Sequence, residues 1–166
     1  MTTNEDRADN RFVANGNNLA PRRLHTCPAY ADDSANTSYT TTSTTWVEAN
    51  AGTNSKVQFL ISIPGNYARC FGGTVLTTPG TNAGSAVGIG VDSTSSASVV
   101  GQLNTLSVTG NTACETAAHF AVGYHYFDLL IKSNAAGGTT TFFADLTRSG
   151  SAADPKATVL EGYVMA

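Results

Sequence analysis

Gly123-Tyr-His-Tyr-Phe-Asp-Leu-Leu-Ile-Lys-Ser-Asn-Ala-Ala-Gly-Gly-Thr-Thr-Thr-Phe-Phe-Ala-Asp-Leu-Thr147 carries the strongest structural pattern in the chain. In its first half His125, Phe127, Leu129 and Ile131 alternate with Tyr124, Tyr126, Asp128, Leu130 and Lys132. A period of two is the signature of a β-strand, because side chains at i and i+2 share a face. Aromatic and branched residues, which pack well on a pleated surface, dominate it. After Ser-Asn-Ala-Ala-Gly-Gly, a second alternating run starts at Thr139. Its Phe142, Ala144 and Leu146 fall on one face, and Thr141, Phe143 and Asp145 on the other. The pattern predicts a central hairpin, buried on one face and partly covered on the other.

Outward from this stretch the texture stays β. From Ser38 onward, strands are expected near 39–49, 55–63, 67–76, 86–92, 98–108, 115–122, 123–133, 139–147 and 157–165. Pro64-Gly65-Asn66, Pro79-Gly80-Thr81-Asn82 and Gly110-Asn111 read as breaks between them. Eight or nine short strands with regularly spaced turns argue an all-β sandwich or barrel, and an antiparallel jelly roll of about eight strands fits the count best.

Residues 1–36 differ, with few large apolar groups, many Asn, Asp and Arg, and prolines at 21 and 28. Alone, such a segment buries too little surface to offset its ordering entropy. It is expected to be either a disordered tail or an extended N-terminal arm that orders on a neighbouring subunit, leaving 37–166 as the sandwich domain.

Composition narrows the function. Charged residues make up 13% of the 166, about half of the usual ~25%. A formal net charge of −3 gives no general reason to expect nucleic-acid binding. No apolar run approaches the ~18 residues of a membrane span. The start, Met-Thr-Thr-Asn-Glu-Asp-Arg, lacks the features of a secretory leader, so a chain made and kept in a cytosol is expected. Cys27, Cys70 and Cys114 are three in number with no close pair, and read as free, buried thiols rather than a disulfide framework.

Motifs for chemistry are sparse. His25, His119 and His125 with Cys27 or Cys114 lack zinc-site spacing. Gly84-Ser85-Ala86-Val87-Gly88 is not a nucleophile elbow. Gly88-Ile89-Gly90 lacks the third glycine of a dinucleotide loop and reads as a strand that another backbone approaches closely. Glu48, Asp92, Glu115, Asp128, Asp145 and Glu161 are scattered singly, unlike a glycosidase pair. Asp32-Asp33 and Asp92 carry no calcium-loop pattern. No catalytic residue, metal or cofactor is therefore expected. Trp46, Tyr124 and Tyr126 are candidates either for a glycan platform or for packing within the sandwich or at a subunit contact.

Ala86-Val-Gly-Ile-Gly-Val-Asp-Ser93, Gly123-Tyr-His-Tyr-Phe127, Gly137-Gly-Thr-Thr-Thr-Phe-Phe143 and Glu161-Gly-Tyr163 together resemble β-sandwich domains of tailed-bacteriophage virion proteins. Such domains occur in capsid-decorating (cement) proteins and in fibre tips, and the resemblance covers residues 38–166. It implies a non-enzymatic jelly roll that forms a homotrimer on the particle surface. Its expected partners are other copies of itself and the major capsid protein or other virion proteins, with no nucleic acid and no membrane. Arg7, Arg11, Arg22 and Arg23 would then anchor the arm, since guanidinium groups suit interface carboxylates. The alternative is a short head or tail fibre that binds a host-surface glycan.

Overall fold

A computed structural model describes residues 21–26, 38–52, 55–78, 84–103, 109–133, 138–143 and 158–165. Eleven strands run through them: β1 Pro21–Thr26, β2 Ser38–Thr41, β3 Val47–Glu48, β4 Lys56–Ile61, β5 Tyr67–Thr77, β6 Ser85–Val91, β7 Val99–Leu103, β8 Thr109–His119, β9 Gly123–Ser133, β10 Thr140–Phe143 and β11 Val159–Met165. Among the described residues there is no α-helix, and no helix is long and apolar enough to cross a membrane. Every strand pairing is antiparallel. The protein is an all-β, jelly-roll-like sandwich of two sheets.

Both sheets share one plan, a long central strand with an unbroken neighbour on one side and two short strands end to end on the other. In the first sheet β5 pairs with β8 along its whole length, from Tyr67↔His119 to Thr77↔Thr109. Its other side is shared by β11 (Ala68–Gly73) and β10 (Val75–Thr77), with β1 beyond β11 and β2 beyond β10. In the second sheet β9 pairs with β6 on one side. On the other it meets β4 at 123–128 and β3 at 130–131, and β7 lies outside β6.

The core forms where the two central strands face each other. Phe127, Leu129 and Ile131 of β9 join Val57, Phe59 and Ile61 of β4 and Val87 and Ile89 of β6. Ala68, Cys70 and Leu76 of β5 meet them from the first sheet, with Leu24, Phe142, Leu160 and Val164. Gly72 marks the closest approach: a methyl group there would lie 2.8 Å from Leu129 Cδ1 and 3.2 Å from Ile89 Cγ1. Phe59, Phe120 and Phe127 cluster at one end of the core with centroids 5.2–5.8 Å apart, Phe120 edge-on to the other two.

The outer face of the second sheet is also covered. Residues 92–98 turn back over β6, with Ser98 N donating to Ile89 O at 2.8 Å. A side chain at Gly88 would meet Ala97 Cβ at 2.6 Å and the Trp46 ring at 3.1 Å, and one at Gly90 would collide with the Ser93 carbonyl. That close backbone approach is what the two glycines imply in the sequence, and it buries Leu130 completely.

Three expectations need correction. The stretch 123–147 is not a hairpin: β9 and β10 belong to different sheets, so the chain crosses the sandwich between them, and 144–147 lie outside the described residues. The strand expected over 39–49 is broken at Ser43–Thr45, where Ser43 Oγ bonds Thr45 O at 2.7 Å, and its halves join opposite sheets. Gly110-Asn111, expected to break the chain, lies inside β8 opposite Leu76 and Val75. Pairing along all of β5 outweighs the local turn preference. Within the segment expected as an arm, Pro21–Thr26 is extended as a strand of this same sheet.

Gly101 shows how tightly β7 passes β8, because a methyl group there would collide with the Ala113 carbonyl. Gly101→Ala should cost about 2–3 kcal/mol in urea unfolding, as overpacking does. Gly65→Ala meets no neighbour and should cost only about 1 kcal/mol for its φ of +80°. Equal costs would contradict this packing.

Candidate functional site

The first sheet turns one bare face to solvent, and its alternation dictates what stands there. Tyr67, Arg69 and Phe71 project outward from β5 while Ala68, Cys70 and Gly72 point in. Register places Tyr163 and Ala117 on either side of Arg69, and Glu161 and Glu115 on either side of Phe71. Arg23 of β1 lies opposite Tyr163. The result is a checkerboard of aromatic rings and ion pairs across four strands. Arg23 Nε bonds Glu161 Oε1 at 2.8 Å, and Arg69 Nε bonds Glu115. Those bonds raise both arginines above their ordinary value, and the Arg69 bond holds the Glu115 carboxyl below its usual range. Both pairs lie at the surface, with Glu161 half-buried, so they contribute little to stability. The rings remain open to water, with Tyr67 38%, Phe71 43% and Tyr163 46% accessible. A shallow hollow of about 350 Å³ lies between Arg69, Phe71, Glu115, Glu161 and Tyr163. Equal numbers of arginine and glutamate make the face neutral, and the rings between them make it amphipathic.

The outer face of the second sheet carries a different group. Asp128 of β9 is fully buried and stands directly opposite Lys56 of β4. Lys56 Nζ bonds Glu48 of β3 and lies 3.8 Å from Asp128 Oδ2. The Glu48 bond raises the Lys56 ammonium above its ordinary value and lowers Glu48 in return. Burial pushes the Asp128 carboxyl up to about 7, although the nearby Ser55 hydroxyl and Lys56 oppose it. Neither Asp128 oxygen closes a hydrogen bond, and the buried Ser55 hydroxyl has no partner either. The following turn holds Asn50, Ala51 and Gly52 at φ of 47°, 52° and 83°, and Gly52 backs onto the Glu48 carboxylate.

The expected aromatic trio separates. Tyr124 and Tyr126 sit together, centroids 6.4 Å apart, with Tyr124 59% accessible and Tyr126 facing Lys56. Trp46 instead packs under Lys132, whose ammonium is 5.0 Å from its ring centroid. Lys132 is six residues beyond Tyr126 on β9, a span of about 20 Å. Among the arginines expected as anchors, Arg23 is the one whose side chain is placed. Arg22 is described only in its β1 backbone, and Arg7 and Arg11 lie outside the described residues. His119 Nδ1 bonds Gly65 O at 2.7 Å, and His125 Nδ1 bonds Asp92 Oδ2 at 2.7 Å, so the two histidines serve separate turns. Among the described residues no group of three His, Cys, Asp or Glu could hold a metal. The groups that sequence reading missed are the β5–β11 checkerboard and the Lys56 cluster. The first was signalled by alternation at 67–71, whereas the second depends on pairing between strands far apart in sequence.

No protein-family model and no curated protein matches the chain. Among solved structures it is similar to Eiger TNF from S. frugiperda, at 6% identity over 87% of this chain and 91% of that one, with a TM-score of 0.47. It is similar to murine APRIL at 14% identity, over 86% of this chain and 97% of that one, with a TM-score of 0.44. The globular domain of zebrafish complement 1qA protein gives 10% identity, 84% and 94% coverage, and a TM-score of 0.41.

Cys70 and Cys114 are free and buried, as expected from the sequence, while Cys27 lies outside the described residues. Burial pushes the Cys70 thiol well above its ordinary value and Cys114 up to about 11. Thiolate is the reactive form, so both should resist iodoacetamide at pH 8 in the folded protein and react once urea unfolds it. Rapid native labelling of Cys70, read by peptide mass, would contradict the packing around β5.

Proposed function

We propose that this chain is a structural, self-associating β-sandwich subunit of a larger particle, and that the particle is a tailed-bacteriophage virion whose capsid it decorates. The observation that carries the reading is the checkerboard face of the first sheet. Three accessible rings on one flat sheet face are the composition of an interface core, and arginine beside them is its usual polar companion. The neutral balance of Arg23 and Arg69 with Glu161 and Glu115 suits a different surface of a neighbouring copy, as a three-fold ring requires, or a protein of mixed charge, better than a polyanion.

Size supports a role for the N-terminal segment as well. Four strands by seven residues make a face of about 19 by 23 Å, on the order of 400 Å². A stable interface buries about 800 Å² per partner, so this face needs help. Residues 1–20, with Arg7 and Arg11, join the sandwich at Pro21 on the edge of the same sheet. In this reading the sandwiches associate as a homotrimer through the face, and the segment lies over the major capsid protein. The virion setting itself rests on the sequence resemblance.

A second reading follows from Tyr124, an accessible ring beside the half-buried Tyr126 and placed to stack on a sugar ring. The chain would then be a fibre domain that binds a host-surface glycan. Trp46, held under Lys132, would take no part.

Phe71→Ser with Tyr163→Ser should convert a multimer in light scattering to monomer, with the β circular-dichroism spectrum unchanged. Tyr124→Ser should leave the multimer intact. Removing residues 1–20 should abolish binding to capsids but keep the sandwich folded. A wild-type chain that is monomeric at ~100 µM and binds capsids without residues 1–20 would overturn the proposal.

A further inference from the structure

Lys56, Glu48 and Asp128 make a poor salt bridge and a good reaction site. A fully buried carboxylate repays its desolvation only when its lone pairs are satisfied, and those of Asp128 are not. What the strands bring together is an amine, a second carboxylate bonded to that amine, and a fully buried carboxyl 3.8 Å away. Lys56 and Asp128 are direct cross-strand partners on one face, where opposite Cβ atoms lie about 5 Å apart, so a lysine chain reaches without distorting either strand. Three separate elements, β3, β4 and β9, converge to build this arrangement.

We propose that Lys56 and Asp128 become joined by an intramolecular isopeptide bond, with Glu48 as the proton carrier. The Lys56 ammonium passes a proton to Glu48. The free amine then attacks Cγ of the protonated Asp128 carboxyl, forming the C–N bond and moving the C=O pair onto oxygen. Glu48 relays the amine's second proton to the hydroxyl, the C–OH bond breaks and the carbonyl reforms. Carboxylic acid and ammonium become amide and water, and Glu48 keeps one proton, which solvent later removes. No oxidant, reductant or cofactor is consumed.

The surroundings favour the electrophile and the placement of the proton carrier, while the Glu48 bond opposes deprotonation of the Lys56 ammonium. Burial raises Asp128 toward its protonated form near neutral pH, and only that form is a usable electrophile. Glu48 is already on the ammonium whose proton it must take. Gly52 lies against the Glu48 carboxylate without a side chain to displace it. Fixed proximity supplies a large effective concentration, and the Asp128 carboxyl itself is held out of water. Because the Glu48 bond stabilises the ammonium, the step is slow, but it need occur only once per molecule. The product ties β4 to β9 beyond their hydrogen bonds, which suits a subunit exposed to mechanical load.

Intact-mass measurement on the denatured full-length chain after incubation at pH 7 should show a loss of one water, about 18 Da. Trypsin should then release residues 24–69, uncut at Lys56, joined to 70–132. Glu48→Gln and Lys56→Arg, with folding checked by circular dichroism, should keep the full mass. A wild-type chain at full mass, with residues 24–56 and 57–69 free, overturns the proposal. So does a loss of water with those peptides free, and a joined peptide persisting in Glu48→Gln overturns the part given to Glu48.

Discussion

The contact on which the structure depends is that of Leu129 and Ile89 against Gly72. Two sheets of β-branched and aromatic residues would normally be held apart by side chains from both. Here the middle of β5 offers no side chain, so β9 and β6 seat theirs directly on its backbone. That approach fixes which residues of each central strand point inward. Since strand side chains alternate, it also fixes which point outward, and a slip of one residue would invert both faces. Leu129 inward means Asp128 and Leu130 outward. Gly72 inward means Phe71 outward. Both candidate sites are the reverse side of one packing decision.

Their contrast comes from what covers each reverse side. Over the second sheet, residues 92–98 and Trp46 close down on two glycines, and the side chains beneath are taken out of water. Asp128 thereby becomes an unusual carboxyl, raised by burial and lacking hydrogen bonds. Over the first sheet nothing within the described residues closes down, and rings and ion pairs face solvent together. The covered face keeps a buried carboxyl beside a lysine, and the open face keeps aromatic rings and ion pairs in water.

How much of this was legible depended on range. The period of two at 123–133 identified β9 correctly, including burial on both sides, because Leu130 and Leu129 are both too apolar to be left in water. The paired glycines at 88 and 90 announced a close backbone neighbour. What failed was connection: Ser-Asn-Ala-Ala-Gly-Gly has hairpin chemistry, yet the chain crosses between sheets there, since β5 supplies a pairing edge for β10 that no local signal reveals. The same blindness scattered the carboxylates. Glu48 and Asp128 are eighty residues apart, and only the adjoining pairings of β3 and β4 along β9 bring them onto one lysine. The outer rings of β5 and β11 were visible as alternation, but their meeting depended on register.

The open face of the first sheet, rather than a loop or cleft, is the surface proposed to bind. Hydroxyl-radical footprinting of the full-length chain, read residue by residue at dilute and concentrated protein, tests it directly. The account predicts that Tyr67, Phe71 and Tyr163 lose reactivity together on concentration while Tyr124 keeps its own. Protection of Tyr124 with Phe71 and Tyr163 still reactive would contradict it and place the working surface on the opposite sheet.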